Sequence, residues 1–400
     1  MIHLRAPRRW SGAQLLTLVL LLAAPSLHSV AAASYTKELQ AGRATIQQLI
    51  LASGIPGLSV TVAVDGKVLW SKGYGYADVE NRIPATPRTL MRIGSISKSM
   101  TATAVARAVA AGKMDVDKSV REYLPALPVA DDPITLRELG GHLGGLRTYR
   151  SPSEKTVYQH YDSISRALSI FADDPLANAP GTKFLYTSYG FVLLSAAAER
   201  ATSREFLDFL RIFLWAPLNM SRTTSDDVRQ IIDGRSRQYE KDAQGSIVNA
   251  AFSDDSYKLA GSGMLSTSDD LAALGNALVA DKFLDSTLLS LLFTPQSTVA
   301  GESTGYGFGW FVDMEKFLDD HRGEIPAAQY LHLKEISSGR KLIWHSGTAN
   351  GATAMLLLVP TTKVVVAIIC NLGGIEPQVI VAAMEVETAL SRARMTGSRR

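Results

Sequence analysis

A serine and a lysine three residues apart, Ser95 and Lys98, are the pair in this sequence best suited to covalent chemistry. Residues three or four apart share one face of a helix, so the lysine amine can take the proton of the serine hydroxyl. A serine activated in this way can attack a carbonyl carbon and hold the acyl group as an ester. The pair therefore predicts an acyl-serine enzyme.

The Ser-x-x-Lys pattern is short, and its surroundings decide which occurrence matters. The two other occurrences lie at the start of the mature chain and in a polar, glycine-containing stretch: Ser34 with Lys37, and Ser338 with Lys341. Only Ser95 precedes an apolar segment, Ser99 to Ala111, that lacks glycine and proline and predicts a buried helix. At the N-terminus of that helix, free N–H groups favour the negative charge that develops during attack.

Tyr186 is the candidate for a second proton carrier, which must deliver a proton to the leaving group. It follows the Pro180-Gly181 turn, and Ser188 lies two residues later on the same short extended piece. Side chains two apart on an extended segment point the same way, so Tyr186 and Ser188 can share a site. The competing interpretation is that Tyr186, one of 13 tyrosines, only packs.

The third candidate element is the run His345-Ser346-Gly347-Thr348, which follows a predicted strand. Gly347 would allow close approach of the backbone to a ligand, and the N–H of Thr348 could join that of Ser95 in an oxyanion hole. His345 would contact the substrate or tune the lysine, although a lone histidine at a strand end is more often structural.

The composition is that of a globular chain without a nucleic-acid signature. Of 400 residues, 46% are apolar and 20% are charged, enough for one large or two moderate cores. The formal net charge is +3, and lysine and arginine form no stripe. We therefore expect neither nucleic acid nor an anionic membrane surface as a partner.

Residues 1–33 have the pattern of a signal peptide. Three arginines precede the apolar run Leu15–Ala24, and small residues at 31–33 offer a cleavage site. The run is short for a bilayer, so no stable membrane span is expected. The pattern predicts a periplasmic or secreted protein, with mitochondrial import as the alternative. Removing the three arginines leaves 38 basic residues against 38 acidic ones, a formally neutral mature chain of residues 34–400.

Cysteine and histidine usage argues against a metal site. The single cysteine, Cys370, lies in an apolar run typical of a buried strand. Five histidines follow the signal peptide, and none has a partner at metal-binding spacing. We therefore expect no metal and no other cofactor, and an exported chain without a disulfide suits a bacterial periplasm.

Periodicity and turn residues predict the elements that position these residues. The segments Leu58–Val64 and Lys67–Gly73 flank Asp65-Gly66, a strong hairpin signal. Further strands are predicted late in the chain: Gly305–Val312, Lys341–Trp344, Thr353–Val359 and Val364–Cys370. Helices are predicted at both ends and in the middle: Tyr35–Ala52, Ser163–Phe171, Phe191–Ala201, Phe206–Phe213, Asp269–Val279 and about Pro377–Ala393.

This order predicts an α+β fold, with an antiparallel sheet built from both chain ends and flanked by helices. The α/β lobe would comprise about residues 34–112 and 304–400, and a mostly helical inserted lobe about residues 113–303. The helix after Ser95 would lie at the junction of the two lobes, where clefts form.

Taken in this order, the motifs resemble those of the serine beta-lactamase and penicillin-binding protein superfamily, especially its class C, esterase and D-aminopeptidase branch. The chain is more similar still to the serine beta-lactamase-like proteins of mitochondria, and this resemblance extends from about Tyr35 to Leu390. The stretches that carry it are Arg92–Lys98, Leu143–Tyr149, Asp255–Gly261, Leu265–Thr267 and His345–Gly347.

The resemblance implies that Ser95 is the nucleophile, Lys98 its activating partner and Tyr186 the acid/base. His345-Ser346-Gly347 stands where relatives carry Lys-Thr-Gly, and Ser188 stands where many carry asparagine. A histidine is largely neutral at pH 7 and cannot replace the fixed charge that holds the carboxylate of a beta-lactam. A small peptide, amide or ester substrate is therefore expected, and the enzyme is expected to be a peptidase or esterase rather than a true beta-lactamase.

Two alternatives remain open at this stage. Export to the periplasm would favour a peptidoglycan D,D-peptidase or a D-aminopeptidase. The resemblance to mitochondrial members also implies a non-catalytic, filament-forming scaffold, and a homo-oligomer is compatible with either role. A scaffold tolerates loss of Ser95 and Lys98, whereas an enzyme does not.

Overall fold

The computed structural model describes residues 35–127, 133–280 and 282–397. The predicted signal peptide lies outside these residues. The helices are Thr36–Ser53 (α1), Ile96–Ala110 (α2), Val120–Tyr123 (α3), Leu136–Gly140 (α4), Pro152–Lys155 (α5), Ile164–Leu168 (α6), Tyr189–Thr202 (α7), Phe206–Leu210 (α8), Leu259–Ser262 (α9), Ser268–Val279 (α10), Ser286–Phe293 (α11), Met314–Asp320 (α12), Ala327–Ser337 (α13) and Glu376–Gly397 (α14).

The strands form one large sheet and two small ones. They are Gly57–Val64 (β1), Lys67–Asp78 (β2), Ile83–Pro84 (β3), Met91–Arg92 (β4), Thr224–Ser225 (β5), Tyr239–Lys241 (β6), Ile247–Asn249 (β7), Met264–Ser266 (β8), Ile343–Ala349 (β9), Ala352–Val359 (β10) and Val364–Cys370 (β11). The large sheet is antiparallel, in the order β3-β2-β1-β11-β10-β9, and so joins the two ends of the chain. This confirms the predicted α+β class.

Both faces of the large sheet are covered, which explains why its central strands are apolar at nearly every position. Along β10, Met355, Leu357 and Val359 pack with α1 and α14, whereas Leu356 and Leu358 face the opposite cluster. Helix α10 lies on that second face, against β1, β10 and β11. The terminal helices α1 and α14 therefore share one face of the sheet.

The hairpin between β1 and β2 turns at Asp65 and Gly66, which have φ values of 53° and 74°. Two consecutive positive φ values match the right-handed twist of the flanking strands, and Asp-Gly tolerates them well. The Asp65-Gly66 hairpin is therefore confirmed, and β2 extends five residues beyond its predicted end.

The predicted strand Gly305–Val312 is wrong. Gly305 and Gly309 have φ values of 68° and 79°, which no regular strand allows. The chain folds back on itself instead, and Tyr306 and Phe311 form an isolated bridge with each other. Phe311 also pairs with Trp344 of β9, so this loop covers part of the free edge of the sheet.

Two of the helices predicted for the middle of the chain are confirmed, as α7 and α10. The other two are shorter than predicted. The predicted helix Ser163–Phe171 is reduced to Ile164–Leu168, and Phe206–Phe213 becomes α8 followed by a π-turn at Arg211–Trp215. No helix among the described residues is both long enough and apolar enough to traverse a lipid bilayer.

Candidate active site

Ser95 is placed by a tight turn between β4 and α2. The main chain of β4 pairs with β8, and the Ile93 N–H donates to Met264 O at 3.1 Å. Gly94 then takes a φ of 49°, and Ser95 is the residue directly before α2. Helix α2 is buried along nearly its whole length, so this turn is held rigidly at the helix N-terminus. The Ser95 side chain is half-buried and lines a cavity.

Lys98 lies one turn along α2 and is completely buried. Its Nζ is 3.0 Å from Ser95 Oγ, 3.1 Å from Ser188 Oγ and 2.8 Å from the carbonyl oxygen of Gly261. All three partners are uncharged. The structure thus brings the predicted residues Ser95, Lys98 and Ser188 into one hydrogen-bonded group.

Burial holds the pKa of Lys98 well below its usual value, and the positive charge of Lys258 lowers it further. A neutral amine has two N–H donors and one lone pair. The carbonyl of Gly261 and the hydroxyl of Ser188 can accept the two donors, which leaves the lone pair for the proton of Ser95. The environment of Lys98 therefore favours a base rather than a cation.

Tyr186 completes the group from the other side of Ser95. Its hydroxyl is close enough to Ser95 for that side chain to affect the tyrosine pKa, and its ring centre lies 4.7 Å from Lys98 Nζ. The ring packs against His142 at 4.3 Å and against Phe311 at 6.2 Å. Desolvation raises the pKa of Tyr186 above its usual range, so the hydroxyl keeps its proton at neutral pH and can donate it.

Strand β9 presents its free edge to the Ser95 turn. Trp344 exchanges both of its backbone hydrogen bonds with Phe311, on the side away from β10. Strand residues two apart direct their backbone groups to the same side, so the N–H of Thr348 also points away from β10. A Cβ added to Gly94 would lie only 2.6 Å from Thr348 N. The N–H groups of Ser95 and Thr348 thus flank the same space.

Gly347 makes this close approach possible. A Cβ at this position would lie 1.8 Å from the carbonyl oxygen of Ile93 and 3.2 Å from Ser95 N. No side chain fits there, so only glycine lets β9 pack directly on the turn that carries Ser95.

His345 faces the interior rather than the cavity. Its Nδ1–H donates to the Ser346 carbonyl oxygen at 2.6 Å, and Nε2 accepts from the Tyr306 hydroxyl at 3.0 Å. Burial lowers the pKa of His345 to about 3, with a further contribution from Lys98, so the ring is neutral. Both ring nitrogens therefore already have hydrogen-bond partners inside the protein, and neither is free to make the predicted contact with a substrate.

The cavity beside Ser95 has a volume of about 350 Å³. Tyr186, Ser346 and Thr348 line it close to Ser95, and its remaining walls are largely apolar. The other lining residues are Phe184, Phe311, Phe317, His321, Glu324, Ile325, Leu333, Glu376, Pro377 and Ile380.

Sequence reasoning missed two parts of this site. Glu376, the first residue of α14, accepts a hydrogen bond from Ser346 Oγ inside the cavity. In the sequence it is only an acid before a helix, 30 positions away from its partner. The carbonyl of Gly261 is a backbone group, and no side-chain pattern marks it as an acceptor for Lys98.

A family model described as beta-lactamase matches residues 42–390 of this chain. Among curated proteins, the mitochondrial serine beta-lactamase-like protein LACTB of Mus musculus is 28% identical, over 86% of this chain and 79% of its own length. Its mitochondrial location agrees with the alternative destination predicted from residues 1–33.

Two solved structures share the fold. The octameric penicillin-binding protein homologue from Pyrococcus abyssi superposes with a TM-score of 0.69 at 23% identity, covering 86% of this chain and 76% of the other. The D-amino acid amidase from Ochrobactrum anthropi SV3, complexed with L-phenylalanine amide, gives 0.70 at 21% identity, covering 90% and 99%.

Proposed function

The chain belongs to the beta-lactamase family, and we propose that it is a serine hydrolase that cleaves amide, peptide or ester bonds through an acyl-Ser95 intermediate. The observation that carries this proposal is the 3.0 Å contact between Ser95 Oγ and the fully buried Nζ of Lys98. A buried lysine whose hydrogen-bond partners are all uncharged is a structural liability unless its neutral form has a use.

In the proposed acylation, Lys98 Nζ takes the Ser95 proton while Oγ bonds to the substrate carbonyl carbon. The N–H groups of Ser95 and Thr348 stabilise the oxyanion of the tetrahedral intermediate. Tyr186 donates its proton to the leaving nitrogen or oxygen as the bond to carbon breaks. The Lys98 ammonium then supplies a proton to Tyr186, so that both groups return to their starting protonation states. The leaving group departs protonated, and Ser95 remains acylated.

Deacylation reverses these proton transfers with water in place of the leaving group. Tyr186 and Lys98 together remove a proton from the water as its oxygen bonds to the acyl carbon. The ester bond to Oγ then breaks, and Lys98 returns the proton to Ser95. The products are a carboxylic acid and the regenerated enzyme.

Charge in the cavity favours this substrate class over a beta-lactam or a D,D-peptide. Both of those carry a carboxylate close to the reacting carbonyl, whereas here His345 is neutral and Glu376 places a carboxylate in the cavity. The fold is shared with a protein described as a D-amino acid amidase, which supports an amide substrate. A peptidoglycan D,D-peptidase is therefore the weaker alternative, and a D-aminopeptidase remains compatible.

We also propose that the catalytic group lies between an α/β lobe of about residues 34–112 and 304–400 and a helical lobe of about residues 113–303. Ser95 and Thr348 come from the first, and Tyr186 and Ser188 from the second. The scaffold role stays the alternative from another functional class, and it predicts an inert Ser95.

The test is the intact mass of residues 34–400 after exposure to a penicillin, an activated phenyl ester and a D-alanyl peptide ester. We expect an acyl adduct on the wild type with the activated ester and none on Ser95→Ala. Ser338→Ala is the matched control, because Ser338 has the same Ser-x-x-Lys spacing but is exposed after α13. An unlabelled, folded wild type with all three donors would contradict the enzyme proposal and support the scaffold.

A further inference from the structure

We propose that Glu376 binds the protonated amine of the substrate, so that this site selects acyl donors with a free amino group beside an apolar side chain. This inference rests on the proposed function and names the substrate class of the same site. Glu376 lies in the cavity that Ser95 opens into, and nothing in the catalytic steps above uses it.

The position of Glu376 suits an ammonium group next to the reacting carbonyl. Ser346 and Thr348 both line the cavity and lie two residues apart on β9, which separates them by roughly 7 Å. In the proposed site, the Thr348 N–H binds the carbonyl oxygen of the substrate. Two residues earlier on the strand, Ser346 Oγ donates a hydrogen bond to Glu376. An ammonium on the carbon next to the carbonyl spans this gap when it donates to a carboxylate oxygen at about 2.8 Å.

The charged residues of the cavity also suit a cationic substrate group. Glu376 and the exposed Glu324 are the charged residues that line the cavity, and no lysine or arginine lines it. Within the described part of the chain, no ion pair to Glu376 is formed by a basic side chain. A cationic donor would neutralise the negative charge that a Glu376 carboxylate places in the cavity, and an anionic donor would add to it.

The apolar wall of the cavity suits a single large side chain. Phe311, Phe317, Ile325, Leu333 and Ile380 surround the remaining space. A volume of about 350 Å³ lies at the lower end for small-molecule sites and fits a single residue with a large side chain. An amino acid amide or ester, or the N-terminal residue of a peptide, combines this side chain with the ammonium that Glu376 requires.

The experiment compares phenylalanine p-nitroanilide with its N-acetyl derivative, in both the D and the L series. We expect wild-type kcat/KM to favour the free amine, and Glu376→Gln to reduce kcat/KM for that donor by about 10- to 100-fold, the usual effect of losing a hydrogen bond to a charged group. For the acetylated donor the variant should stay within about 2-fold of the wild type. Glu385→Gln, on the same helix but paired with His332, is the control and should change neither.

The pH dependence separates binding from a structural role. A carboxylate in the first turn also stabilises the helix dipole, so Glu376 could serve α14 alone. In that case Glu376→Gln would lower the melting temperature and affect both donors equally, which would overturn the proposal. If Glu376 binds the ammonium, the wild-type preference instead disappears as the pH rises through the pKa of the donor's amine.

Acetylation of Ser95 by p-nitrophenyl acetate keeps the two proposals distinguishable, since this donor has no amine. A burst of p-nitrophenol with no preference for the free-amine anilide would refute the role of Glu376 and leave the serine hydrolase intact. Absence of both the burst and anilide cleavage would refute the proposed function itself.

Discussion

Lys98 shows how position in the structure, rather than residue type, sets the chemistry of the site. In water a lysine is a cation, and only desolvation and the nearby charge of Lys258 make its neutral form accessible. Tyr186 is shifted in the opposite direction, because burial disfavours its anion. The two pKa values are thus shifted in the opposite directions that the proposed acylation requires, towards a neutral amine and a protonated phenol.

This pairing predicts the pH profile. Acylation needs neutral Lys98, so kcat/KM for a neutral ester should rise with pH along a limb well below the usual lysine pKa. A falling limb should be absent up to the usual tyrosine range, because the pKa of Tyr186 is raised. In Lys258→Met, loss of the positive neighbour raises the pKa of Lys98, so the rising limb should move to higher pH, with the plateau rate retained.

Lys113→Met is the control for this shift. Lys113 follows the far end of α2, is exposed, and its removal should leave the profile unchanged. A rate that falls equally at every pH in Lys258→Met would instead mean that Lys258 only supports the fold, through its ion pair with Asp255 at 3.1 Å.

Contact between the Ser95 turn and β9 is the decisive feature at the level of elements. The proposed oxyanion hole needs both elements, because each supplies one N–H group. Gly94 and Gly347 let the two backbones touch, and the loop pairing of Phe311 with Trp344 stops short of Thr348. The edge of β9 is therefore covered at Trp344 and open at Thr348, where we propose that the substrate binds.

Gly347→Ala should push β9 away from Ile93 and separate the N–H groups of Ser95 and Thr348. Removing one oxyanion donor costs about 100- to 1,000-fold in kcat, so a loss of this order is expected with the activated ester. Gly323→Ala is the matched control, since no atom lies within 4 Å of a Cβ there and its φ is not positive.

Kinetics and thermal unfolding on both glycine variants distinguish the explanations. A kcat for Gly347→Ala within a few-fold of the wild type would show that the Thr348 N–H does not contribute to catalysis. A large loss of activity in Gly323→Ala would show that the assay reports general damage.

The whole molecule is built around one sheet that two hydrophobic clusters share. Alternate residues of β1, β10 and β11 enter opposite clusters, so both clusters pack against the same three strands. The strands of this sheet come from both ends of the chain, and the pairing of β1 with β11 joins residues that are about 300 positions apart in sequence. We therefore expect the two clusters to unfold together.

Leu356→Ala and Leu357→Ala test this directly, because the two neighbours are fully buried on opposite faces of β10. Each should lower the free energy of unfolding by about 2–5 kcal/mol. Denaturation followed by tryptophan fluorescence and by far-UV circular dichroism should show one coincident transition for each variant. Separate transitions, of which each substitution moves only one, would show that the clusters are independent.

The sequence alone determined the elements whose signals are local. Asp65-Gly66 fixes a hairpin through its own φ preferences, the apolar runs of β10 and β11 identify strands covered on both faces, and Ser95 precedes an apolar helix. Ser95 and Lys98 could be paired in advance because they are one helical turn apart. The motif order also pointed correctly to the family and to the α+β fold.

Only the tertiary structure decided which distant groups meet. The lowered pKa of Lys98 depends on burial and on Lys258. The turn at Gly309 depends on packing against α2, and the approach of β9 to Ser95 depends on a missing side chain at Gly347. Glu376 enters the cavity because α14 begins beside β9, 30 residues from the serine that it contacts. Such relations arise when long-range packing sets distance and dielectric together, and no local pattern in the chain encodes either.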